Sequence, residues 1–509
     1  MKRLLKSVLY LLLMLTIVAC GNGDITNNIP PDPEEESKNA ESLSAEELFG
    51  EDVIIAEIKL DTQHQTMLGF GASYTWYSDL ALKFPEMRDE IADLLFKDAK
   101  MTILRFKNDY ESSVASVSEA AKEVQFFSLA RERAAEYGED VIVLLSSWSP
   151  PPRLKSNDSI NGRDSVTGDG TLKKNEFGNY MYDEFARWWA DSIEAYRGAG
   201  LAVDYISIQN ECDFPAAYDG MMLAKFENEN QAEYARAFLA TYYEMQNRFN
   251  DNAPLMLGPE TMTFNSMDLK DYMKNITDTL PEAVAGIAFH LYIGGNSTGE
   301  WGEGLNPGQS INEPNSFNRN FIDNYFEFKD KFPLWQTEFY RGTPMQTALL
   351  MNNALVNGNV SAYLHWAGIW ERDFPTHDLI GVNRRGEYSV GSSYYVMRHF
   401  SEFIRPGYIR VQVSVPFSYD YSISAFKSPD ETKLAIVLIN PTHEDMRIAI
   451  PIEGYNINDS VIYQTVLEAD SYEADNYYAD IGNLGQSNTV LLKAYSITTI
   501  DINGGRHYG

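Results

Sequence analysis

Residues 205–211 read Tyr-Ile-Ser-Ile-Gln-Asn-Glu, an apolar run that ends on a carboxylate. Seven similar runs occupy residues 68–72, 103–106, 141–146, 255–258, 286–291, 334–337 and 362–366, and stretches with helical periodicity occupy residues 80–97, 179–196, 231–249 and 345–357. Because apolar strands that alternate with helices form parallel sheets, eight of them predict a (β/α)8 TIM barrel over residues 51–404. An open doubly wound sheet is the alternative, but residues 69–73, Gly-Phe-Gly-Ala-Ser, lack the third glycine of a phosphate-binding loop.

The pattern changes after Arg405-Pro406-Gly407. Runs at residues 409–415, 421–426, 433–439, 446–450, 461–467 and 490–500 alternate apolar and polar residues and are separated by turn residues. Such runs predict an antiparallel β-sandwich side domain over residues 405–509. The apolar run at residues 53–60 precedes the barrel, and we expect it to pair with this C-terminal sheet.

The first twenty residues have the features of an export signal. Basic residues at positions 2, 3 and 6 precede an apolar run at 8–19 that is too short to span a bilayer. Residues 17–20, Ile-Val-Ala-Cys, resemble a bacterial lipoprotein signal, which implies lipidation of Cys20; an ordinary cleaved signal peptide is the alternative. Residues 21–50 are acidic and lack a periodic apolar pattern, so we expect a flexible linker. We therefore expect an exported lipoprotein anchored at the outer membrane or cell surface, with the periplasmic face as the alternative.

The composition of the 509-residue chain argues against several partners. Its net charge of −32 repels nucleic acid and anionic lipid surfaces. Aromatic residues reach 13%, which suits a protein that contacts flat sugar rings. Two cysteines cannot form a disulfide framework, and the seven histidines are scattered without a metal-binding motif. We therefore expect no metal, no cofactor and no nucleic acid partner, and we expect a monomer.

Two acidic residues directly follow predicted barrel strands. Glu211 comes at the end of the fourth run, and Glu338 directly follows the seventh, Leu-Trp-Gln-Thr. Since the chemistry of a TIM barrel lies at the carboxyl ends of its strands, we expect both side chains to face one cavity. Two facing carboxylates are what glycoside hydrolysis needs, and a separation of about 5–5.5 Å predicts retention of configuration.

Five short motifs carry a resemblance to a known family. They lie, in chain order, at residues 68–73, 147–151, 290–292, 334–338 and 403–407. Together with Asn210-Glu211 they resemble glycoside hydrolase family 30, a group of retaining clan A glycosidases that includes glucosylceramidases, β-1,6-glucanases and endo-xylanases. The resemblance implies that Glu211 is the acid/base, that Glu338 is the nucleophile and that a β-domain flanks the barrel. The family usually has proline after the acid/base; Cys212 stands there, and a thiol nucleophile would need a histidine that does not adjoin it in sequence.

Position along the predicted barrel suggests supporting roles for further polar residues. Asn210 can hydrogen-bond the sugar 2-hydroxyl, and Tyr292 can donate its hydroxyl to Glu338. Arg105, at the end of the second strand, can keep Glu338 ionised, although a structural ion pair is the alternative. His290 is expected to hydrogen-bond these groups from behind, with direct substrate contact as the alternative.

Three tryptophans are candidates for stacking on a sugar. Trp148 and Trp366 can form the floor of the subsite before the scissile bond, and Trp76 can serve a more distant subsite. For Trp148 and Trp366 simple packing is the alternative.

The substrate is a separate question from the reaction. Residues 395–408 and 362–366 resemble the xylanase branch, whereas residues 367–373 lack the arginine-rich loop by which glucuronoxylanases bind a uronate. Residues 214–226 carry Tyr218 in place of a tryptophan cluster, and Arg372 is the local cation that an acidic branch would need. We expect an endo-1,4-β-xylanase acting on xylan or glucuronoxylan. The alternatives are a β-1,6-glucanase, β-galactanase or glucosylceramidase-like enzyme, and a surface lipoprotein that binds glycan without cleaving it.

Overall fold

The structure is a computed structural model of the chain. It describes residues 52–111, 117–164, 168–262, 264, 266–292, 318–328, 331–340, 343–373, 378–468 and 474–506. The predicted signal at 1–20 with Cys20, and the predicted linker at 21–50, lie outside these residues. Within the described part of the chain, every helix is too short or too polar to cross a bilayer.

Eight parallel strands form a closed barrel, which confirms the predicted TIM barrel and excludes an open sheet. The ring closes where the eighth strand pairs with the first, Leu364 lying opposite Gly71. An apolar layer that includes Ile103, Leu257 and Trp335 fills the interior. In chain order, barrel strands 1 to 8 are Gly69–Ser73, Ile103–Lys107, Ile142–Ser146, Tyr205–Ser207, Leu255–Thr261, Gly286–His290, Leu334–Glu338 and Val360–His365.

The helices around the barrel follow the predicted periodicity in part. The predicted helix at 80–97 is interrupted because Pro85 lacks an N–H and starts a new helix at its first position. Four helices were not predicted: Lys122–Ala135, Ser266–Thr279, Asn318–Phe328 and Ser392–Ser401. The others are Ser78–Leu82, Pro85–Ala92, the π-helix Asp93–Asp98, Tyr182–Gly198, Tyr234–Phe249 and Pro344–Val356, with short 3-10 turns at Pro152–Leu154, Asn250–Asn252 and Pro281–Ala283.

Two small sheets lie outside the main layers. The first joins Ile369–Glu371, Ile380–Val382 and Tyr388–Val390 directly after barrel strand 8. The second is the two-stranded sheet of Arg163–Asp164 and Gly168–Asp169.

The side domain consists of two β-sheets with an apolar core between them. The predicted strand at 490–500 is two strands, because Tyr495 adopts a left-handed backbone (φ 54°) and the chain turns there into the other sheet. The three-stranded sheet contains Val53–Ile55, Met446–Ala449 and Thr489–Leu492. The seven-stranded sheet has the order Glu57–Thr66, Ile409–Ser414, Ser422–Lys427, Lys433–Asn440, Ser496–Arg506, Tyr455–Leu467 and Ala474–Asp480.

The barrel and the side domain share one core. His399, on the last barrel helix, lies within hydrogen-bond distance of Thr499 (2.9 Å) and Thr465 (2.8 Å) on the seven-stranded sheet. Phe400 on the same helix belongs to a single apolar cluster with Val437 of that sheet. The strand Glu57–Thr66, which precedes the barrel, pairs antiparallel with Ile409–Ser414, which follows it.

Candidate active site

Two glutamates meet at the carboxyl ends of the barrel strands. Glu338 is the last residue of barrel strand 7, and Glu211 follows barrel strand 4 in a left-handed conformation (φ 47°). The N–H of Glu211 donates to the carbonyl of Glu260 at 2.9 Å, which holds this turn against barrel strand 5. Carboxylate oxygens of Glu211 and Glu338 lie within 4.8 Å of each other. The structure therefore brings together the two residues that the strand ends singled out.

Arg105 is the central cation of the site. Its side chain is fully buried, and its guanidinium carbon lies 4.5 Å from the ring centroid of Trp148. The predicted contact with Glu338 is present and is the shortest of the ion pairs that Arg105 makes. Its hydrogen bonds run from Nη1 to Ser73 Oγ (3.0 Å) and Glu338 Oε2 (2.6 Å), from Nη2 to Asn210 Oδ1 (2.6 Å), and from Nε to Ser146 Oγ (3.3 Å) and Glu260 Oε1 (3.1 Å).

Glu260 is a third carboxylate that the sequence analysis did not single out. It belongs to barrel strand 5 and is completely buried. The predicted strand covered residues 255–258 and so stopped short of Glu260, whereas the strand in the structure continues through Pro259 to Thr261. The signal was present nevertheless, since Leu-Met-Leu-Gly-Pro-Glu-Thr is an apolar run that reaches an acid, as in the runs before Glu211 and Glu338.

His290 connects all three carboxylates. Its Nδ1 lies 3.0 Å from Glu211 Oε1, and its Nε2 lies 4.0 Å from both Glu260 Oε1 and Glu338 Oε2. The ring is completely buried behind the carboxylates, which agrees with the expected hydrogen-bonding role.

The charges of this cluster shift its pKa values in opposite directions. Burial alone would lower the pKa of His290, but Glu338, Glu211 and Glu260 outweigh it and raise that pKa to about 9. Burial alone would raise the pKa of Glu260, but Arg105 and His290 outweigh it and lower that pKa to about 2. At neutral pH the cluster therefore contains an imidazolium and a permanently ionised Glu260.

The surroundings of Glu338 act on its pKa in opposite directions. Burial raises the pKa of Glu338 against the opposing effects of His290 and Arg105, and the neighbouring Glu211 raises it further. The guanidinium of Arg105 contacts Glu338 Oε2 at 2.6 Å and favours the ionised form of that carboxyl group.

The donor set does not suit a resident metal ion. Ligand atoms of Glu211, His290 and Glu338 lie within 4.8 Å of one another, a spacing that could hold a cation. However, Arg105 already neutralises Glu338 at 2.6 Å, and the pKa of about 9 keeps His290 protonated, whereas a metal ligand must be the neutral imidazole.

Aromatic side chains line the cavity above the two carboxylates. The cavity has a volume of about 320 Å³ and opens to solvent. Trp76 contacts Trp148 and Trp366 edge-on, with ring centroids 5.5 and 5.4 Å apart, so it belongs to the same cluster and not to a distant subsite. The lining residues are Trp76, Tyr77, Trp148, Glu211, Tyr218, Tyr292, Glu338, Tyr340, Trp366 and Trp370.

Two tyrosines flank the carboxylates differently from what was expected. Tyr292 lines the cavity and packs against Phe339 (5.3 Å between centroids), but its hydroxyl makes no hydrogen bond to Glu338 among the described residues. The hydroxyl of Tyr218 instead donates to Glu211 Oε2 at 3.4 Å. Arg105, and not Tyr292, therefore orients the Glu338 carboxylate.

Cys212 does not have the features of a nucleophile. Its side chain is completely buried, and Sγ lies 3.7 Å from the carbonyl oxygen of Pro259. Burial raises the pKa of the thiol well above its usual range, which disfavours the reactive thiolate.

A closed barrel with two facing carboxylates below an aromatic cavity defines a glycoside hydrolase. The sequence model of the glycosyl hydrolase family 30 TIM-barrel domain matches residues 72–404, and the chain belongs to this family.

The similarities extend to enzymes that are named for different glycans. The chain is 24% identical to glucuronoxylanase XynC of Bacillus subtilis (strain 168) over 325 residues, which cover 59% of this chain and 61% of that protein. It is 21% identical to the lysosomal acid glucosylceramidase of Mus musculus over 392 residues, or 74% of this chain and 71% of that protein. The family 30 subfamily 8 xylanase Xyn30A from Clostridium acetobutylicum superposes with a TM-score of 0.63 at 21% identity, covering 88% of this chain and 99% of that structure.

Proposed function

We propose that this glycosidase is a retaining endo-1,4-β-xylanase that cleaves xylan or glucuronoxylan by double displacement. The observation that carries the retaining mechanism is the approach of the Glu211 and Glu338 oxygens to within 4.8 Å. Retaining enzymes hold their carboxyl groups about 5–5.5 Å apart, whereas inverting enzymes need about 6.5–9.5 Å to admit a water molecule.

In the first step Glu338 is the nucleophile. A carboxylate oxygen of Glu338 forms a bond to the anomeric carbon while the bond from that carbon to the glycosidic oxygen breaks. Glu211 gives its proton to the leaving oxygen, so the departing chain leaves as a neutral alcohol. Arg105 donates to Asn210 Oδ1, which leaves the amide NH₂ of Asn210 as the donor toward a sugar hydroxyl.

In the second step Glu211 is the base. It removes a proton from a water molecule as the water oxygen attacks the anomeric carbon, and the ester bond to Glu338 breaks. Two inversions at the same carbon give net retention. Arg105 stabilises the carboxylate of Glu338 as it leaves, since its Nη1 lies 2.6 Å from Oε2.

The preference for xylan has separate support. XynC and Xyn30A are named for xylan cleavage, and residues 395–408 resemble the xylanase branch. The Nε of Arg372 forms an ion pair with the buried Asp378 at 3.1 Å, so its charge is offset within the protein. We therefore expect the enzyme to act on linear xylan as well as on glucuronoxylan.

Product analysis on a substrate panel tests this proposal. The purified protein is incubated with linear xylan, glucuronoxylan, β-1,6-glucan, β-1,4-galactan and glucosylceramide, and the products are identified by mass. We expect a series of xylo-oligosaccharides from both xylans, and none from Glu211→Gln or Glu338→Gln. Strong turnover of β-1,6-glucan or glucosylceramide without turnover of xylan would refute the xylanase assignment. That result would favour the second candidate function, an enzyme that cleaves a glucan or a glucosyl lipid. The similarity to the mouse glucosylceramidase supports this second candidate.

We also propose that the protein is exported and anchored through a lipid on Cys20. The support is the sequence alone, namely the basic residues before a short apolar run and the motif Ile-Val-Ala-Cys at residues 17–20. Cells expressing the full chain are labelled with a radioactive fatty acid, and we expect label in the wild type and none in Cys20→Ala. Equal labelling of both proteins, or an unlabelled wild type in the culture medium, would contradict the anchor.

A further inference from the structure

Glu260 lies behind the reacting groups and contacts both cations of the site. Its Oε1 accepts from Arg105 Nε at 3.1 Å and from Ser146 Oγ at 3.2 Å, and it lies 4.0 Å from His290 Nε2. Its side chain is inaccessible to solvent, and it is not among the residues that line the cavity. It is therefore placed to act on the two cations and not on the sugar.

We propose that Glu260 is a positioning residue of the glycosidic site: its carboxylate holds the guanidinium of Arg105 between Glu338 and Asn210, and it retains the charged imidazole of His290 against Glu211. This inference rests on the proposed double displacement and adds a third carboxylate to it. Without this anion, Glu338 and Glu211 would be the carboxylates left beside the two cations among the described contacts.

The need for such an anion arises during the reaction. When Glu338 forms its ester with the sugar, it loses its negative charge, and His290 and Arg105 each lose a partner. Glu260 has a pKa of about 2 and keeps its charge, so the imidazole stays protonated and the guanidinium stays paired in the intermediate. Glu211 therefore has the charged imidazole of His290 beside it in both steps, first when it acts as the acid and then when it acts as the base.

Other titratable groups near this cluster do not replace Glu260. Burial raises the pKa of Asp213 to about 6, and its Oδ1 accepts from the backbone N–H of Met262 at 2.8 Å. Asp213 therefore titrates on the acidic side of a pH profile. Burial raises the pKa values of three further neighbours well above neutrality, so they stay uncharged: Cys212, Tyr218 and Tyr234.

The pH profile of kcat/KM on the polymer that the wild type hydrolyses tests the inference. A nearby anion raises the pKa of a group that loses a proton. Glu260→Gln removes this anion, so the alkaline limb of the kcat/KM profile should move to lower pH by about one unit or more, which is the shift that a charge within about 4–6 Å causes. Glu260→Asp, which keeps the charge, should return the limb toward the wild-type position. The matched control is Glu233→Gln, because Glu233 is also buried but bonds Asn275 at 2.7 Å, and its limb should not move.

A uniform fall of kcat/KM at every pH, with the limb in place, would show a merely structural role and overturn the inference. A second measurement uses the wild-type protein labelled with ¹⁵N-histidine, so Glu260 is not altered. The His290 signal is assigned by its loss in His290→Gln. It should remain that of an imidazolium up to about pH 9. Titration of His290 near its ordinary value of 6.5 would also overturn it. A wild type that cleaves no glycan refutes the proposed function instead, and the histidine titration still tests the pairing.

Discussion

Replacing Glu211 by alanine should remove proton transfer while leaving the nucleophile in place. The described contacts of the Glu211 carboxylate are with His290 at 3.0 Å and Tyr218 at 3.4 Å, whereas Glu338 is held separately by Arg105 at 2.6 Å. Glu338 should therefore still attack. General acid–base catalysis contributes about 10²–10⁴-fold, which corresponds to about 3–5 kcal/mol in the activation free energy.

The assay compares kcat/KM on two substrates whose leaving groups differ in their need for a proton. With xylan, whose leaving alcohol needs a proton, kcat/KM should fall by about 10²–10⁴-fold, the whole contribution of general acid–base catalysis. With a dinitrophenyl β-xyloside, whose leaving group needs no proton, kcat/KM should change little, while kcat should fall because the second step has lost its base. Azide should restore turnover and give the β-glycosyl azide.

The matched variant is Glu338→Ala, which leaves Glu260 as the partner of Arg105 at 3.1 Å and so avoids an unpaired buried cation. It should lose activity on both substrates, and azide should now yield the α-glycosyl azide. An α-azide from Glu211→Ala, or equal losses on the two substrates, would refute the assignment of the two roles.

Three further predictions concern the surroundings of the carboxylates. Arg105→Leu leaves Glu260 and Glu338 buried without their cation, and should lower the free energy of unfolding by about 3–5 kcal/mol in denaturant titrations; a loss below about 1 kcal/mol would contradict this. The raised pKa of His290 means that the folded protein holds a proton that the unfolded chain releases, so the wild-type free energy of unfolding should fall as pH rises from 6.5 to about 9, and His290→Gln should lack that part of the fall; parallel profiles would argue against it. Trp366→Ala should raise KM by about two- to tenfold with a smaller change in kcat, because an aromatic contact contributes about 0.5–1.5 kcal/mol. The control is Trp188→Phe, which lies in a helix away from the cavity and should leave KM unchanged.

The barrel could be predicted because its strands are buried on both faces and stay apolar along their length. Because catalytic groups of a barrel lie at the ends of its strands, Glu211 and Glu338 could be selected from the many acidic residues as the catalytic candidates. The structure brings these two residues together. The prediction failed where a local feature interrupts the pattern. The predicted run at 255–258 stopped before Pro259, a residue that is unusual inside a central strand, and therefore missed Glu260. At Tyr495 the left-handed backbone divides a single predicted strand into two.

Other parts of the site depend on tertiary structure that local pattern does not show. Trp370 reaches the cavity from the small sheet after barrel strand 8, and short strands of this kind have no clear periodicity. The hydroxyl of Tyr218 approaches Glu211 from a loop, whereas Tyr292 was expected to bond Glu338 from its position after a strand. Strand ends fix a direction along the barrel axis, but hydrogen-bond partners depend on ångström-scale side-chain geometry.

The antiparallel pairing of Glu57–Thr66 with Ile409–Ser414 ties the two ends of the barrel sequence to each other. A fragment cut to the family-matched residues 72–404 would lack both strands, and a chain truncated after the barrel would leave Glu57–Thr66 with an open row of N–H and C=O groups. Open edges of this kind recruit other chains, so such a fragment would be prone to aggregation. The catalytic barrel is thus not a detachable module: any attempt to shorten this enzyme, or to exchange its side domain for another, must carry the N-terminal strand along with the C-terminal sheet.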